Sequence, residues 1–349
     1  MKSGFICAHI ARLALAFVLV STARPGQSQA APAQNFSKFS SVTLFLADAK
    51  RGVAGEGLTH AFWERDGRTE VSGVEGVECR SLSLANPEAA KGYFYFTLDP
   101  TFKEQDVSRV RIDVEYFDGM NGKAGVFGLQ YDATGSPNGS SSKPLLPNVA
   151  LNGSGRWLTN SFHVRDGGFQ NAQNARSDFR LWASPAELSV SRVTVTRESD
   201  APMPKPLAFD AAGEAKLREW NRQWDSGARP SFSGGTNETD GVRWLEVRAE
   251  VAGAGSWRTA PLLEAGNYQF VGRARATDSA GGNAVMLRVS GRPSAGSARL
   301  TSEWRTLTYD FTVAALEHVE LACEFRGEQG GARFDVDSLK LVRKSKAAP

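Results

Sequence analysis

The stretch Val110-Arg-Ile-Asp-Val-Glu-Tyr116 alternates apolar and polar side chains along its whole length. Successive side chains of a β-strand point to opposite faces of the sheet, so this alternation predicts a strand with one buried and one outward face. Turn-forming Asp-Gly and Asn-Gly pairs separate it from similar stretches. Those stretches of the first half are residues 93–98, 126–131, 157–164 and 188–195.

The second half of the chain has the same pattern. Its strand candidates are residues 244–249, 267–275, 285–289, 304–313, 318–325 and 333–342. Residues 211–224 are the one stretch that fits a helix, on which Trp220 and Trp224, four residues apart, would share a face. Short, regularly spaced strands with Gly-rich turns, not alternating with helices, predict an all-β protein with a β-sandwich in each half.

The boundary between the halves is predicted at Glu198-Ser-Asp-Ala-Pro-Met-Pro-Lys-Pro206. Prolines at alternate positions favour an extended, semi-rigid spacer. Residues 199–206 are therefore interpreted as a linker between two β-sandwich domains, residues 38–198 and residues 207–345. Each part has the length of one domain.

Residues 1–30 have the pattern of a secretory signal peptide. Lys2 and Arg12 precede the apolar run 13–20, and small-residue cleavage sites follow. The run is far shorter than the roughly 20 residues that a membrane span needs. The mature protein is therefore predicted to be secreted, either extracellular or periplasmic, with no membrane span.

Charge and cysteine content exclude several classes of protein. The formal net charge is +3, and the whole excess comes from Lys2, Arg12 and Arg24, because the first 33 residues contain no acid. A neutral mature chain argues against a nucleic-acid partner and against long-range attraction to polyanions. Of the three cysteines, Cys7 lies in the signal peptide, and Cys79 and Cys323 are predicted to be buried free thiols.

The second half resembles the carbohydrate-binding modules of families 4, 9 and 22, which have a galactose-binding-like jelly-roll fold. The residues that carry the resemblance are Trp224-Asp-Ser-Gly, Gly241-Val-Arg-Trp-Leu-Glu-Val, Ser256-Trp-Arg-Thr, Glu303-Trp-Arg-Thr and Arg333-Phe-Asp-Val-Asp-Ser-Leu339, in this order. The resemblance implies a polysaccharide or oligosaccharide ligand and a structural calcium ion, with Asp337 as the implied ligand of the metal. Motifs of the first half, such as Tyr93-Phe-Tyr-Phe, look similar to non-catalytic β-sandwich modules attached to secreted bacterial glycoside hydrolases.

Candidate sugar-binding residues follow from the outward phase of the second-half strands. Sugar recognition uses planar polar groups for the hydroxyls and aromatic rings for the apolar faces of the sugar. The candidate site residues from this phase are Trp244, Glu246, Arg248, Gln269, Arg273 and Arg288, and Trp224 of the predicted helix is a further candidate. The alternative interpretation of this set is an ordinary solvated sheet face with cross-strand ion pairs. The resemblance to carbohydrate-binding modules implies that Trp257 and Trp304 are packing residues.

Catalytic patterns are weak in this sequence. Glu64-Arg-Asp-Gly-Arg-Thr-Glu70 has the carboxylate spacing of some β-sandwich glycosidases, but its Asp-Gly pair predicts a hairpin turn. The sequence therefore favours a secreted, non-catalytic carbohydrate-binding protein. Two alternatives stay open: a glycoside hydrolase or polysaccharide lyase with a site in the first domain, and an extracellular structural or adhesion module.

Overall fold

The computed structural model describes residues 34–47, 56–63, 65–66, 68–83, 91–119, 125–134, 142–185, 187–199, 204–277, 283–293 and 297–344. These residues form strands joined by turns, with two short 3₁₀ helices at Phe102–Glu104 and Asn174–Arg176. The predicted signal peptide, residues 1–30, lies outside the described residues. No helix within them is long and apolar enough to cross a membrane.

The first sandwich consists of two antiparallel sheets. In sheet I the order is β3 (Arg68–Val74), β4 (Val77–Ser83), β11 (Ser189–Arg197), β6 (Val110–Asp118) and β9 (Arg156–Val164), with β1 (Ser41–Phe45) also paired to β11. In sheet II the order is β2 (Leu58–Ala61), β5 (Gly92–Leu98), β10 (Phe179–Ser184), β7 (Gly125–Tyr131) and β8 (Lys143–Leu151).

Strand β6 shows why this half folds as a sandwich. Val110, Ile112 and Val114 are completely buried, whereas the polar residues between them are partly exposed. Burial of a branched aliphatic side chain stabilises the fold by roughly 1.5–3 kcal/mol, so the alternating pattern selects which face of the strand turns inward. The inward faces of both sheets meet in one hydrophobic core that includes Phe94, Phe96 and Phe179.

The second sandwich has the same construction. In sheet III the order is β14 (Ser231–Thr236), β15 (Arg243–Ala249), β23 (Gly330–Lys344), β18 (Gly266–Ala276) and β20 (Arg305–Val313), with β12 (Glu214–Lys216) also paired to β23. In sheet IV the order is β13 (Asn221–Gly227), β16 (Gly253–Thr259), β22 (Leu321–Gly327) and β19 (Ala284–Val289). A small additional sheet pairs β17 (Leu262–Leu263) with β21 (Glu317–His318).

The core of the second sandwich is separate from that of the first. It contains Val247, Trp257, Phe270, Phe334 and Leu339 among its buried residues. Trp257 is therefore a packing residue, as predicted. Cys79 and Cys323 are both buried and free, which also confirms their prediction, and burial raises the pKa of the Cys323 thiol well above its usual value. The all-β fold with β-sandwiches is confirmed.

The helix predicted over residues 211–224 is wrong. That stretch holds a turn followed by β12 and β13. Trp220 packs on the core and stacks with Phe270, while Trp224 lies on β13 with its ring nitrogen bonded to the carbonyl of Gly227. The two tryptophans, four residues apart, therefore make different contacts in the β-fold. Tertiary contacts of this kind override a weak local preference for a helix.

Residues from Asn35 onward form one compact unit that contains both sandwiches. Hydrogen bonds cross between the sandwiches: Ser184 Oγ donates to the carbonyl of Trp224 at 3.0 Å, Asn148 Nδ2 donates to Glu320 Oε1 at 2.7 Å, and Asn221 Nδ2 donates to the carbonyl of Asn148 at 3.4 Å. The residues of the predicted linker that are described, 199 and 204–206, belong to no strand. The domain boundaries at residues 198 and 207 stay predictions.

Candidate functional site

Most of the predicted site residues lie on the outward side of sheet III. Cross-strand pairing places Trp244 beside Asp335, Asp335 beside Arg273, and Arg273 beside Thr306, so that one row crosses four strands. Glu246 and Arg333 form the neighbouring row. We call Trp244, Glu246, Arg273, Arg333 and Asp335 the sheet III face.

Ion pairs within the sheet III face neutralise its charges. Arg273 Nε donates to Asp335 Oδ2 at 2.9 Å, and Arg333 Nε donates to Glu246 Oε2 at 2.7 Å. The Arg333 guanidinium also lies 4.2 Å from the centre of the Trp244 ring. Asp335 is only 1% exposed, while the side chain of Arg273 is 46% exposed. Cross-strand pairs of this kind are what the alternative interpretation of the face, a solvated sheet surface, also predicts.

The other predicted site residues do not join this row. Arg248 lies near Glu250 at 3.5 Å, and Gln269 donates to Asp310 at 3.1 Å. Trp224 and Arg288 belong to sheet IV, where Trp224 is buried and Arg288 is bonded to Glu324. The predicted set is thus divided between two sheets, because the strand alternation gives the phase of a side chain but not the sheet that its strand joins.

Trp304 is a residue whose role the sequence interpretation missed. It lies near Arg275 and Arg273, at 4.7 Å and 6.0 Å between ring centre and guanidinium carbon, and thus next to the sheet III face. Its ring nitrogen is buried without a hydrogen-bond partner among the described residues. Its even spacing from the outward residues Thr306 and Thr308 was the available signal for this position.

Asp337, the predicted calcium ligand, is engaged by a guanidinium. Arg243 Nε donates to Asp337 Oδ2 at 3.1 Å, and this hydrogen bond is the main reason why the pKa of the carboxyl is lowered. Among the residues that the structure describes, no group of three or more His, Cys, Asp or Glu side chains could hold a metal ion. Calcium takes six to eight oxygen ligands, so carboxylate side chains alone would not complete its coordination at Asp337. The calcium ion stays a prediction.

A second candidate region lies between the sandwiches and was not predicted. The outward side of sheet II carries Tyr93 and Tyr95 on β5, which alternate with the core residues Phe94 and Phe96. Trp182 on β10 is the cross-strand neighbour of Tyr93. Arg180 is the neighbour of Tyr95 and donates to Gln130 Oε1 at 2.7 Å.

Sheet IV contributes the facing wall through a buried arginine. The Arg258 guanidinium is 2.5 Å from carboxylate oxygens of both Asp225 and Glu320, and it also bonds Ser256 and Ser290. Burial alone would lower the pKa of Arg258, but Glu320 and Asp225 raise it above the usual value. The same Glu320 accepts the hydrogen bond from Asn148 of the first sandwich.

The two walls enclose a cavity of about 310 Å³, which we call the inter-sandwich cleft. Its lining includes Lys91, Gln130 and Trp182 from the first sandwich and Arg258 and Glu320 from the second. A larger cavity of about 620 Å³ adjoins it, since both are lined by Pro144, Leu146, Glu317 and His318. Concave sites of this size, with polar groups and aromatic rings in the lining, are typical of small-ligand sites.

Two cations of sheet II lie over aromatic rings. Lys91 Nζ is 4.8 Å from the centre of the Trp182 ring, and the Arg180 guanidinium is 4.6 Å from that of Tyr93. Burial lowers the pKa of Lys91, and the positive charges of Arg258 and Arg180 lower it further, against the opposite effect of Asp225 and Glu320. Trp182 itself is only 6% exposed.

The carboxylate pattern considered for catalysis lies only partly within the described residues. Glu64 lies outside the described residues. Glu70 is on the hairpin of β3 and β4, where its side chain is 56% exposed and paired with Arg68 at 3.1 Å. A buried carboxyl in an apolar environment is the usual form of a general acid, whereas the Glu70 side chain is exposed to solvent.

No family model and no curated protein matches this chain. Among solved structures, the N-terminal CBM22-1–CBM22-2 tandem domain of Xyn10C from Paenibacillus barcinonensis matches at 10% identity and a TM-score of 0.30, covering 87% of this chain and 97% of that chain. A structure described as "CBM4 structure and function" matches at 22% identity and a TM-score of 0.28, over 40% of this chain and 95% of that one.

A family 11 carbohydrate-binding module from Clostridium thermocellum, in complex with a β-1,3-1,4-mixed-linked tetrasaccharide, matches at 17% identity and a TM-score of 0.29, over 40% of this chain and 100% of that chain. The resemblance to carbohydrate-binding modules of the family 4, 9 and 22 type, stated from the sequence, is thus found among solved structures as well. Likeness at these identities concerns the fold alone.

Proposed function

We propose that this protein binds a polysaccharide or oligosaccharide outside the cytoplasm and does not cleave it. The observation that carries the proposal is the inter-sandwich cleft, which combines the indole ring of Trp182 with amide, hydroxyl and charged groups in one concavity. Pyranose rings have apolar faces that pack on aromatic side chains and rims of hydroxyl groups that need planar donors and acceptors. The cleft offers both.

The polar groups of the cleft are held in place before a ligand arrives. Arg180 orients Gln130 through the 2.7 Å hydrogen bond, and Glu320 is held by Asn148 and Arg258. Pre-organised groups lose less conformational freedom on binding, which favours affinity for a flexible, hydrated ligand such as a glycan. Tyr93, the cross-strand neighbour of the lining residue Trp182, is partly exposed and supplies a second ring beside the cleft, with the Arg180 guanidinium over one of its faces.

The sheet III face is the alternative location for the same function. It has a partly exposed indole ring, Trp244, but its arginines are already bonded to carboxylates. A sugar hydroxyl that binds there competes with existing ion pairs. We therefore place the site in the cleft and keep Trp244, Glu246, Arg248, Gln269 and Arg273 as the second location, with Trp224 and Arg288 on sheet IV.

Affinity electrophoresis and a glycan array with the chain lacking residues 1–30 test the proposal. We expect retention on at least one glycan, which Tyr93→Ala weakens and Phe45→Ala leaves unchanged. Phe45 is a suitable control because it is an aromatic residue on sheet I that is 52% exposed. Loss of binding in Trp244→Ala instead would move the site to the sheet III face.

Two other results would overturn the function itself. Reducing ends or unsaturated products released from the bound glycan, and absent in Glu70→Ala, would make the protein a glycoside hydrolase or polysaccharide lyase. Absence of retention on every plant, algal and microbial glycan tested would favour a structural or adhesion module. The proposed export is tested by N-terminal sequencing of the protein from the culture medium or periplasm, with a start after residue 30 expected.

A further inference from the structure

The inter-sandwich cleft continues into the larger cavity beside it. Both spaces are lined by the same four residues: Pro144 and Leu146 of β8, and Glu317 and His318 of β21. The cleft, at about 310 Å³, is at the lower end of the roughly 300–1,000 Å³ that small-ligand sites enclose. A glycan chain longer than a short oligosaccharide therefore extends out of the cleft, and the shared wall leads into the larger cavity.

The wall of the second sandwich runs from one space to the other in chain order. Val319 and Glu320 line the cleft alone, residues 317–318 line both spaces, and Leu316 lines the larger cavity alone. Neighbouring segments hold this wall in place, since β21 pairs with β17 and the Val319 amide donates to the carbonyl of Pro261 at 3.0 Å. A ligand that follows the wall passes from the cleft to the larger cavity.

His318 lies where the two spaces meet, and one nitrogen of its ring is bonded to the protein. Nδ1 lies 3.0 Å from the carbonyl oxygen of Ala260. A carbonyl oxygen only accepts hydrogen bonds, so Nδ1 carries the proton, and in the neutral ring Nε2 is then an acceptor. None of the described residues bonds Nε2. A sugar hydroxyl is a donor that fits this nitrogen.

The larger cavity has the mixed lining that a sugar chain needs. Amide and hydroxyl groups come from Asn160 and Ser161 on β9, and apolar surface comes from residues such as Leu316. The Lys143 ammonium is 2.5 Å from Asp166 Oδ2, so these two charges of the lining balance each other. A neutral chain with apolar ring faces and hydroxyl rims matches this combination.

We propose that the glycan occupies the inter-sandwich cleft and the larger cavity as one continuous chain, which passes between β8 and β21 and donates a hydroxyl hydrogen bond to His318 Nε2. This inference rests on the proposed function. Because residues of both sandwiches line each space, the two sandwiches bind the chain as one unit.

Isothermal titration calorimetry with oligosaccharides of increasing length tests the inference. Cello-oligosaccharides and xylo-oligosaccharides, from the disaccharide to the hexasaccharide, are the first probes, followed by oligosaccharides of the glycan that the array identifies. We expect affinity to rise about tenfold with length once the cleft is filled, and to level off when both spaces are occupied. An affinity that does not increase beyond the trisaccharide overturns the continuous chain and leaves glycan binding intact.

Leu316→Ser tests the path into the larger cavity. The change removes apolar surface from that cavity alone, so it should reduce the gain with length about threefold while short oligosaccharides bind as before. Leu316 is 44% exposed, so the core stays intact. Val251→Ser is the matched control, because Val251 is an apolar residue of the second sandwich that is 60% exposed and lines neither space. It should leave the affinity for every length unchanged.

His318→Asn separates the roles of the two ring nitrogens. The asparagine amide can still donate to the carbonyl of Ala260, as Nδ1 does, but nothing replaces Nε2. Loss of one hydrogen bond should lower the affinity for long oligosaccharides about fivefold, while the melting temperature stays near that of the unchanged protein. Unchanged affinity overturns the assignment of His318.

The outcomes separate this inference from the proposed function. A gain with length that persists in full in both Leu316→Ser and His318→Asn overturns the path through the larger cavity, since the chain then leaves the cleft elsewhere. Absence of binding at every length, together with no retention on the glycan array, overturns the proposed function.

Discussion

The sheet III face and the inter-sandwich cleft contain similar residues in different arrangements. Each has a tryptophan with a cation over its ring, Trp244 with Arg333 and Trp182 with Lys91. On the sheet III face the cation is also bonded to a carboxylate of the adjacent strand, Glu246. In the cleft, no carboxylate oxygen of the described residues lies within 4.0 Å of Lys91 Nζ.

This difference shows that composition does not identify a binding surface. An exposed sheet face whose arginines and carboxylates pair with each other needs no ligand, because its charges are satisfied within the sheet. In the cleft, burial removes water while the pairing stays incomplete. Incompletely paired, partly buried charges are a better indication of a ligand site than the number of polar residues.

The largest effect is expected from removing Arg258. Arg258→Met leaves Asp225 and Glu320 partly buried without their counterion and should lower the free energy of unfolding by about 3–5 kcal/mol. The matched change on the sheet III face, Arg333→Met, should cost only about 1–2 kcal/mol, because Arg333 is more exposed. Urea titration followed by tryptophan fluorescence measures both. Equal losses would contradict the contrast between the two regions.

The next largest effect is expected on the affinity for the glycan, when an aromatic side chain is truncated. Tyr93→Ala should weaken glycan affinity about tenfold, which corresponds to the roughly 1.4 kcal/mol expected from loss of ring packing. Trp244→Ala should change it less than twofold. Calorimetric titration of both variants with the same glycan provides the comparison. The reverse order of the two effects would assign the site to the sheet III face.

The hydrogen bond between the sandwiches is expected to contribute less. Asn148→Ala removes the donor to Glu320 and should destabilise the protein by about 1 kcal/mol. Gln269→Ala removes an exposed bond to Asp310 and should change stability by less than about 0.5 kcal/mol. Thermal unfolding of the two variants tests this. No difference between them would mean that the bond across the cleft does not stabilise the arrangement of the sandwiches.

The smallest effect is expected at Asp337. Because Arg243 already occupies this carboxylate, addition of EDTA should leave the melting temperature unchanged. Asp337→Asn should cost less than about 1 kcal/mol, as for other exposed ion pairs. A clear drop in melting temperature with EDTA that calcium reverses, and that Asp337→Asn abolishes, would instead establish the calcium site.

Several features of the fold could be read from the sequence because they depend on local alternation. The period-two pattern of Val110–Asp118 predicts its buried face, and the Phe94 and Phe96 positions of Gly92–Leu98 follow in the same way. The local pattern gave a wrong prediction for residues 211–224, because two tryptophans four residues apart resemble one face of a helix. Their actual partners, Phe270 and the carbonyl of Gly227, are contacts of the folded chain that no local pattern shows.

The candidate site could be predicted only in part. The outward phase correctly places Trp244, Glu246 and Arg273 on one surface, because all three alternate with core residues. It assigns Arg288 to the same surface although Arg288 belongs to sheet IV, as does Trp224, which the sequence placed on a helix. Strand phase leaves open which strands become neighbours, and that decides which outward residues meet.

Residue type and local period are enough to predict the all-β fold, the two buried thiols and the neutral charge of the chain beyond residue 33. Only the packing of the two sandwiches brings Lys91, Gln130 and Trp182 of the first into one cleft with Arg258 and Glu320 of the second. These residues are far apart in the chain, and their pairing depends on how two sandwiches pack. The packing of the two sandwiches therefore determines which charged side chains come within ion-pair distance of an opposite charge.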